Sequence, residues 1–303
     1  MERKIMNDLT KWKIDSYKRP LLLSGISGCG KTYTTLEFGK NEYKNTVYFD
    51  CKENLELAYV IDKNQTKEKL IRALSAISLE TILKEDTLII LDNISEKIIT
   101  AIKKLFTGEE YHIIMITNDE TFVKKHKTEG VNYKKMNLVT FQEFLKYMGK
   151  EQLIDFIKDS FKNNKSMPFH ALATELYNDY VLTGGYPNAI TNYKNSEDYN
   201  LLGNINDKNI KLIKYKLLKL DNLIDIKRGQ EVYNNISIQL LKDNKKFQYG
   251  NIKPGARSKE YEKSIKFMIE NNMIIKSTRV KELTQPLSKA KDEESFKLYY
   301  NDS

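Results

Sequence analysis

The chain has 303 residues, with 50 Lys and Arg against 41 Asp and Glu, for a formal net charge of +9. At 40% hydrophobic and 30% charged, with 13 Gly and 5 Pro, it is neither disordered, collagen-like nor low in complexity, and it accommodates two or three domains. Two cysteines, Cys29 and Cys51, exclude a disulfide framework and point to a reducing compartment. Residues 1–13 lack the apolar stretch of a signal peptide, and no apolar run nears the roughly 20 residues that span a bilayer. The expectation is a cytoplasmic protein with no membrane partner. The charge is uneven: residues 226–303 hold 16 basic and 10 acidic residues, about two-thirds of the excess.

In chain order, the first 140 residues alternate short apolar runs with helical periodicity. The run from Leu21 to Ser24 predicts a buried strand, and Thr46 to Asp50, Leu88 to Leu91 and Ile113 to Ile116 predict three more. Helical patterns fall over residues 32–40, 67–83, 95–106 and 121–127. This alternation predicts a parallel sheet covered on both faces. After Val139 the strands stop, and residues 141–162, 168–182 and 207–223 read as helices. The second of these reads as capped by Ser166 or the residue after it and ended by Gly184-Gly185. Val232, Ile236 and Leu240 then mark one helix; Tyr261, Ile265, Met268 and Ile269 mark another, capped by Ser258. Alternating stretches at 274–280 and 296–300 close the chain. Helices followed by a β-ribbon predict a winged helix-turn-helix. The expected division is an α/β core over 1–140, a helical lid over 141–225 and a winged-helix domain over 226–303.

Gly25-Ile26-Ser27-Gly28-Cys29-Gly30-Lys31-Thr32 follows G-x-x-x-x-G-K-[ST], after a strand and before a helix. This is the P-loop NTPase pattern, also called Walker A. Successive backbone N–H groups wrap a phosphate, glycines permit the close approach, and the helix aims its positive end at the anion. Lys31 would reach the β- and γ-phosphates and Thr32 would bind Mg²⁺. The residues expected to hold ATP are those of the loop and the adjoining Tyr33. Asp92 ends the strand Leu88-Ile89-Ile90-Leu91 and suits the second Mg²⁺ position. Asn93 follows it; an amide orients a water but takes no proton from it at neutral pH. Asn118 ends the next strand and either senses the γ-phosphate or forms the turn, with Thr117 as the alternative sensor. Lys31, Asp92, Asn93 and Asn118 make up the expected catalytic set. No Asn-Lys-x-Asp base-reading motif follows the fourth strand, which disfavours GTP.

With these residues the chain resembles the AAA-like P-loop ATPases of bacteria and archaea, which carry a helical lid, a winged helix and usually a nuclease-like domain of unknown function. The resemblance rests on Lys18-Arg19-Pro20-Leu21-Leu22, Leu36-Glu37-Phe38-Gly39, Phe141-Gln142-Glu143-Phe144-Leu145, Gly184-Gly185-Tyr186-Pro187, Asn244-Lys245-Lys246-Phe247, Ala256-Arg257-Ser258 and the segment from Phe296 to Asp302. It implies an ATP-dependent switch or motor. It also implies that Pro187 packs near the adenine, where the residues alone allow plain helix termination. Three departures stand out. Ile26-Ser27 replaces a frequent Arg-Gln, Asp92-Asn93 replaces the usual Asp-Glu, and the chain ends at Ser303 without the nuclease-like domain. The second departure leads us to expect tight ATP binding with slow hydrolysis. The alternative is a non-hydrolysing nucleotide-dependent interaction or DNA-binding module. The stretch before residue 135, where ring-forming relatives carry a finger arginine, holds only lysines; Arg228 and Arg257 are the candidates to reach the γ-phosphate.

Between Lys245 and Lys281 the chain holds ten basic and three acidic residues, with Lys259, Lys263 and Lys266 at helical spacing. This reads either as a surface for non-specific DNA binding or as a solvated or protein-docking face. His112, His126 and His170 are too scattered for a metal site or a triad and read as structural or surface residues.

Overall fold

The computed structural model describes residues 1–303 except 54–56, 58, 62–65, 109, 197–198 and 302–303. The chain divides into two compact units, Met1–Glu197 and Asp198–Ser303.

In the first unit, helix α1 (Ile5–Ile14) precedes strand β1 (Leu21–Ser24), and α2 (Lys31–Glu42) follows. Then come β2 (Asn45–Asp50), α3 (Lys67–Ser78), β3 (Thr87–Asp92), α4 (Glu96–Leu105), β4 (His112–Thr117), α5 (Glu120–His126) and β5 (Asn132–Lys135). The five strands are all parallel, in the order β2-β3-β4-β1-β5. β1, β3 and β4 are buried along their whole length, as their unbroken apolar runs demand when both faces are covered. Leu22, Val47, Phe49, Ile89, Leu91, Ile113 and Met115 join Leu70 and Leu74 of α3 and Ile98, Ile99 and Ile102 of α4 in one core. The alternate residues Tyr48, Asp50, Ile90 and Asp92 therefore lie on the opposite face, where α2 packs on β2, β3 and β4. The expected parallel sheet is present. β5 was not foreseen: Asn132-Tyr133-Lys134-Lys135 is polar because it is an edge strand, where charge discourages further pairing.

The same unit continues as helices: α6 (Phe141–Tyr147), α7 (Gln152–Asn163), α8 (His170–Thr183) and α9 (Pro187–Ser196). Thr140 and Glu143 form a capping box on α6. The single helix expected over 141–162 is thus two, with a turn at Gly149, φ +72°. α8 begins after Phe169, in the left-handed region, rather than at a Ser166 cap, and Gly184 ends it as expected.

The second unit comprises α10 (Tyr199–Tyr215), α11 (Leu223–Leu240), α12 (Ser258–Glu270) and the antiparallel ribbon of β6 (Ile274–Val280) and β7 (Lys291–Tyr300). The expected helix over 207–223 is corrected: the chain breaks at Asn222, whose side chain accepts from the Asp225 N–H and starts α11. Ser258 opens α12 as its first residue, and the cap is Arg257. Val232, Tyr233 and Ile236 of α11, Tyr261, Ile265 and Met268 of α12, and Phe296 and Leu298 of β7 are buried. Phe247 stacks on Phe296 at 5.7 Å and donates its N–H to the Phe296 carbonyl. Helices followed by a two-stranded ribbon match the expected winged-helix arrangement. Among the described residues, no helix is long and apolar enough to cross a membrane.

Candidate functional site

β1 ends at Ser24, and the chain turns at once into the loop formed by residues 25–30. A Cβ on Gly25 would collide with the backbone oxygen of Met136, so no side chain fits there. Gly28 and Gly30 take φ of +84° and +94°, which glycine adopts without penalty. Gly30 is the N-cap of α2, whose positive end thus faces the loop concavity. Ile26 and Cys29 are buried, and the Cys29 thiol points at the Met136 carbonyl, 3.7 Å away.

Lys31 is buried and donates from Nζ to the carbonyls of Gly25 (2.8 Å) and Ile26 (3.0 Å). Burial lowers its pKa, against the opposing pull of Cys29, Asp92 and Glu120. Thr32 Oγ1 donates to Asp92 Oδ2 at 2.5 Å, joining the first turn of α2 to the end of β3. The other Asp92 oxygen accepts from the Asn93 N–H at 2.8 Å. Asn118, just past β4, donates from Nδ2 to Ser27 Oγ at 2.9 Å. The sheet order brings these together, because β4 lies between β1 and β3. The Thr117 hydroxyl accepts instead from the Asp119 N–H.

Asn93 sits in the left-handed region at φ +54°, where Asn is tolerated better than most residues. Its Nδ2 lies 3.1 Å from each carboxylate oxygen of Asp50, the last residue of β2. Sequence reasoning passed over Asp50. The available signal was that β2 and β3 both end in an acid, and register pairs Asp50 with Asp92.

The helices after β5 also reach the loop. The Val139 N–H donates to Gly185 O, and Tyr180 Oη donates to Val139 O, both at 2.8 Å. A Cβ on Gly28 would lie 3.1 Å from the Tyr186 ring, and one on Gly30 would lie 3.6 Å from Pro187 Cγ. Tyr33 is exposed beside a hollow of about 230 Å³ that Met1, Met6 and Glu37 also line. A second residue passed over is Arg3, with 6% of its surface exposed. It donates to Cys29 O (2.8 Å), Asn137 O (2.7 Å) and Glu143 Oε1 (3.1 Å), so one guanidinium ties the loop to the segment after β5 and to α6. No spacing in the sequence signals this, because its partners lie up to 140 residues away.

These residues fit a nucleoside triphosphate with Mg²⁺. The loop has glycines where a Cβ would meet Met136 or Tyr186, and Thr32 and Asp92 present two oxygens side by side. Among the described residues, no group of three or more His, Cys, Asp or Glu could hold a metal. Two protein oxygens suit Mg²⁺, which fills its remaining positions with phosphate oxygens and water.

The histidines are structural or at the surface. His112 Nδ1 lies 2.7 Å from Tyr43 Oη, and burial lowers its pKa to about 4, aided by Lys18 and Lys13. His126 Nε2 lies 2.6 Å from Glu96, and His170 is exposed at the start of α8.

In the second unit, Lys259 and Lys266 are exposed on the side of α12 away from Tyr261, Ile265 and Met268. Lys263 is exposed too but pairs with Asp221 (2.9 Å) and Asp225 (3.1 Å). Arg228 pairs with Glu260 at 3.1 Å, and the Arg257 N–H donates to the same Glu260 side chain.

Residues 17–145 match the profile of the family described as an AAA domain. The first unit carries an AAA-type P-loop ATPase fold. Residues 174–303 match a second profile, described as a domain of unknown function (DUF8612). No curated protein matches the chain. Among solved structures, the chain is similar to the Walker-type ATPase PabY2304 of Pyrococcus abyssi at 12% identity and TM-score 0.48, covering 99% of this chain and 93% of that one. It is also similar to PH0952 of Pyrococcus horikoshii, a STAND signal-transduction ATPase with a tetratricopeptide repeat sensor. That match has 15% identity and TM-score 0.39, and covers 90% of this chain but 39% of PH0952. A further similar structure is the Orc1 protein of Aeropyrum pernix in complex with DNA, at 11% identity and TM-score 0.35, covering 99% of this chain and 88% of that one.

Proposed function

We propose that this AAA-type ATP-binding protein is an ATP-dependent switch or motor that hydrolyses ATP slowly. The observation that carries the reading is the 2.5 Å bond between Thr32 and Asp92, set beside a glycine loop that holds Lys31. Backbone N–H groups of residues 25–30 and the α2 N-terminus hold the phosphates. Lys31 leaves the carbonyls of Gly25 and Ile26 for the β- and γ-phosphate oxygens. Thr32 and Asp92 would hold Mg²⁺, which would neutralise charge on the phosphate oxygens. Asn118, next to Ser27, orients the γ-phosphate or the water. Pro187 and Tyr33 flank the base. The functional units of this reading are an ATPase core over 1–140, a helical lid over 141–225 and a winged-helix domain over 226–303.

The slow rate rests on Asn93, since an amide takes no proton from the attacking water and any base must then be supplied by a residue other than the one after Asp92. The same residue favours the second reading, a nucleotide-dependent module with no turnover. DNA is the proposed partner of the second unit, through phosphate contacts from the exposed lysines between Lys245 and Lys281. The experiment is ATP binding and turnover measured with and without duplex DNA. Mg²⁺-dependent binding with slow turnover supports the first reading. Binding alone, with altered DNA affinity, supports the second. Absence of ATP binding removes both.

A further inference from the structure

The position after Asp92 carries an amide, yet a carboxylate stands against it. Asn93 Nδ2 is 3.1 Å from both Oδ1 and Oδ2 of Asp50, so the amide grips the whole carboxylate rather than one edge. Asp50 Oδ1 also accepts from the Lys52 N–H at 2.9 Å, which fixes its plane further. Asp50 pairs in register with Asp92, and in a parallel ladder the two side chains project from one face. Tyr48, two residues earlier on that face, reaches Asp92 Oδ2 with its hydroxyl at 3.4 Å. Asp92 in turn bonds Thr32. A continuous chain of polar contacts therefore runs along this face beside the phosphate loop. Asp50 is half-buried, open enough to meet water.

We propose that Asp50 is the carboxylate that orients and deprotonates the attacking water, and that Asn93 is its positioning residue. The acid that the resemblance leads one to expect after Asp92 on β3 is then supplied from the end of β2. The step balances without a further reactant. The water oxygen forms a bond to the γ-phosphorus, and the bond from that phosphorus to the β–γ bridging oxygen breaks. The electron pair leaves on ADP, and the proton of the water passes to Asp50 and from there to solvent. A left-handed backbone at Asn93 is consistent with this arrangement, because Asn suits that conformation better than Glu. Glu120 is the rival carboxylate near Lys31, but it is held 3.5 Å from Lys135.

The inference rests on the ATPase reading above, and its test separates the two. Steady-state turnover, ATP affinity by calorimetry and melting temperature are measured on the full chain and on Asp50→Asn, Glu120→Gln, Asn93→Glu and the exchanged pair Asp50→Asn/Asn93→Glu. Expected for Asp50→Asn is a fall in kcat of about 100-fold, the usual worth of a general base, with ATP affinity and melting temperature held. Asn93→Glu alone sets two carboxylates face to face and does not raise turnover. The exchanged pair restores turnover above that of Asp50→Asn. Should Asp50→Asn lower the melting temperature, the exchanged pair decides, because it again sets one acid against one amide. Turnover by Asp50→Asn close to that of the natural chain overturns the inference, as does loss of turnover in Glu120→Gln alone. A natural chain that binds ATP without hydrolysing it also overturns the inference and leaves nucleotide binding standing. A chain that does not bind ATP removes the ATPase reading itself.

Discussion

Lys31 shows how one residue is asked to serve function at a cost to the fold. Its ammonium is buried among backbone carbonyls, and burial lowers its pKa from the ordinary 10.5. A base with a depressed pKa contributes stability only above its unfolded value and takes it away as pH falls. At neutral pH the charged lysine therefore destabilises the nucleotide-free fold. Lys31→Met is expected to raise the melting temperature of the free protein while lowering ATP affinity at least about tenfold, the loss of one charge-assisted hydrogen bond or more. Thermal melts paired with calorimetry check both signs. The loop's place between strand and helix was legible in the sequence, because glycine spacing and the Lys-Thr pair are local requirements. Asp50 was not, since its meaning comes from a partner 43 residues away on a neighbouring strand.

At the scale of elements, the buried strands were readable because a sheet covered on both faces leaves unbroken apolar runs. Edge strand β5 and the break at Asn222 escaped for the opposite reason: lysines on an edge and a cap inside a leucine-rich stretch carry little periodicity. The link between loop and α6 escaped because it hangs on Arg3 and Glu143, 3.1 Å apart and each 6% exposed at the side chain. Burial pushes the Glu143 carboxyl up, but the N–H groups of Thr140 and Lys4 and the Arg3 guanidinium outweigh it and hold its pKa below 4.5. A depressed carboxyl pKa gives stability that is whole above the unfolded value and lost as pH falls through the folded one. Arg3→Ala removes the counter-ion of this acid and leaves it only the Thr140 and Lys4 donors, so we expect a loss of about 2 kcal/mol at pH 7, the worth of a hydrogen bond to a charged group. The loss should shrink on acidification below pH 4.5, as the carboxyl gains its proton. Denaturant unfolding at pH 7 and pH 4 measures it. A flat difference across that range would contradict the pairing.

At the scale of the whole molecule, the net charge of +9 belongs mainly to the last quarter of the chain. The structure divides its lysines further. Among the described residues, Lys259 and Lys266 of α12 enter no ion pair, whereas Lys263 is tied to Asp221 and Asp225. If the second unit rests on duplex phosphates, Lys259→Ala/Lys266→Ala should weaken binding and flatten its salt dependence, and Lys263→Ala should matter less. With about four phosphate contacts, affinity should fall about a hundredfold for a fourfold rise in salt, with little dependence on sequence. Fluorescence anisotropy across a salt series reads both effects. Strict sequence preference would contradict a surface built from lysines alone.

The central claim is that the loop, Lys31, Thr32 and Asp92 form a working ATP site. Its most direct test is ATP affinity of the full chain with and without Mg²⁺, beside Lys31→Met and Asp92→Asn. We expect Mg²⁺-dependent binding in the natural chain, affinity reduced at least about tenfold in Lys31→Met, and loss of the Mg²⁺ dependence in Asp92→Asn. Equal affinity in all three proteins, or no binding in any, would contradict it.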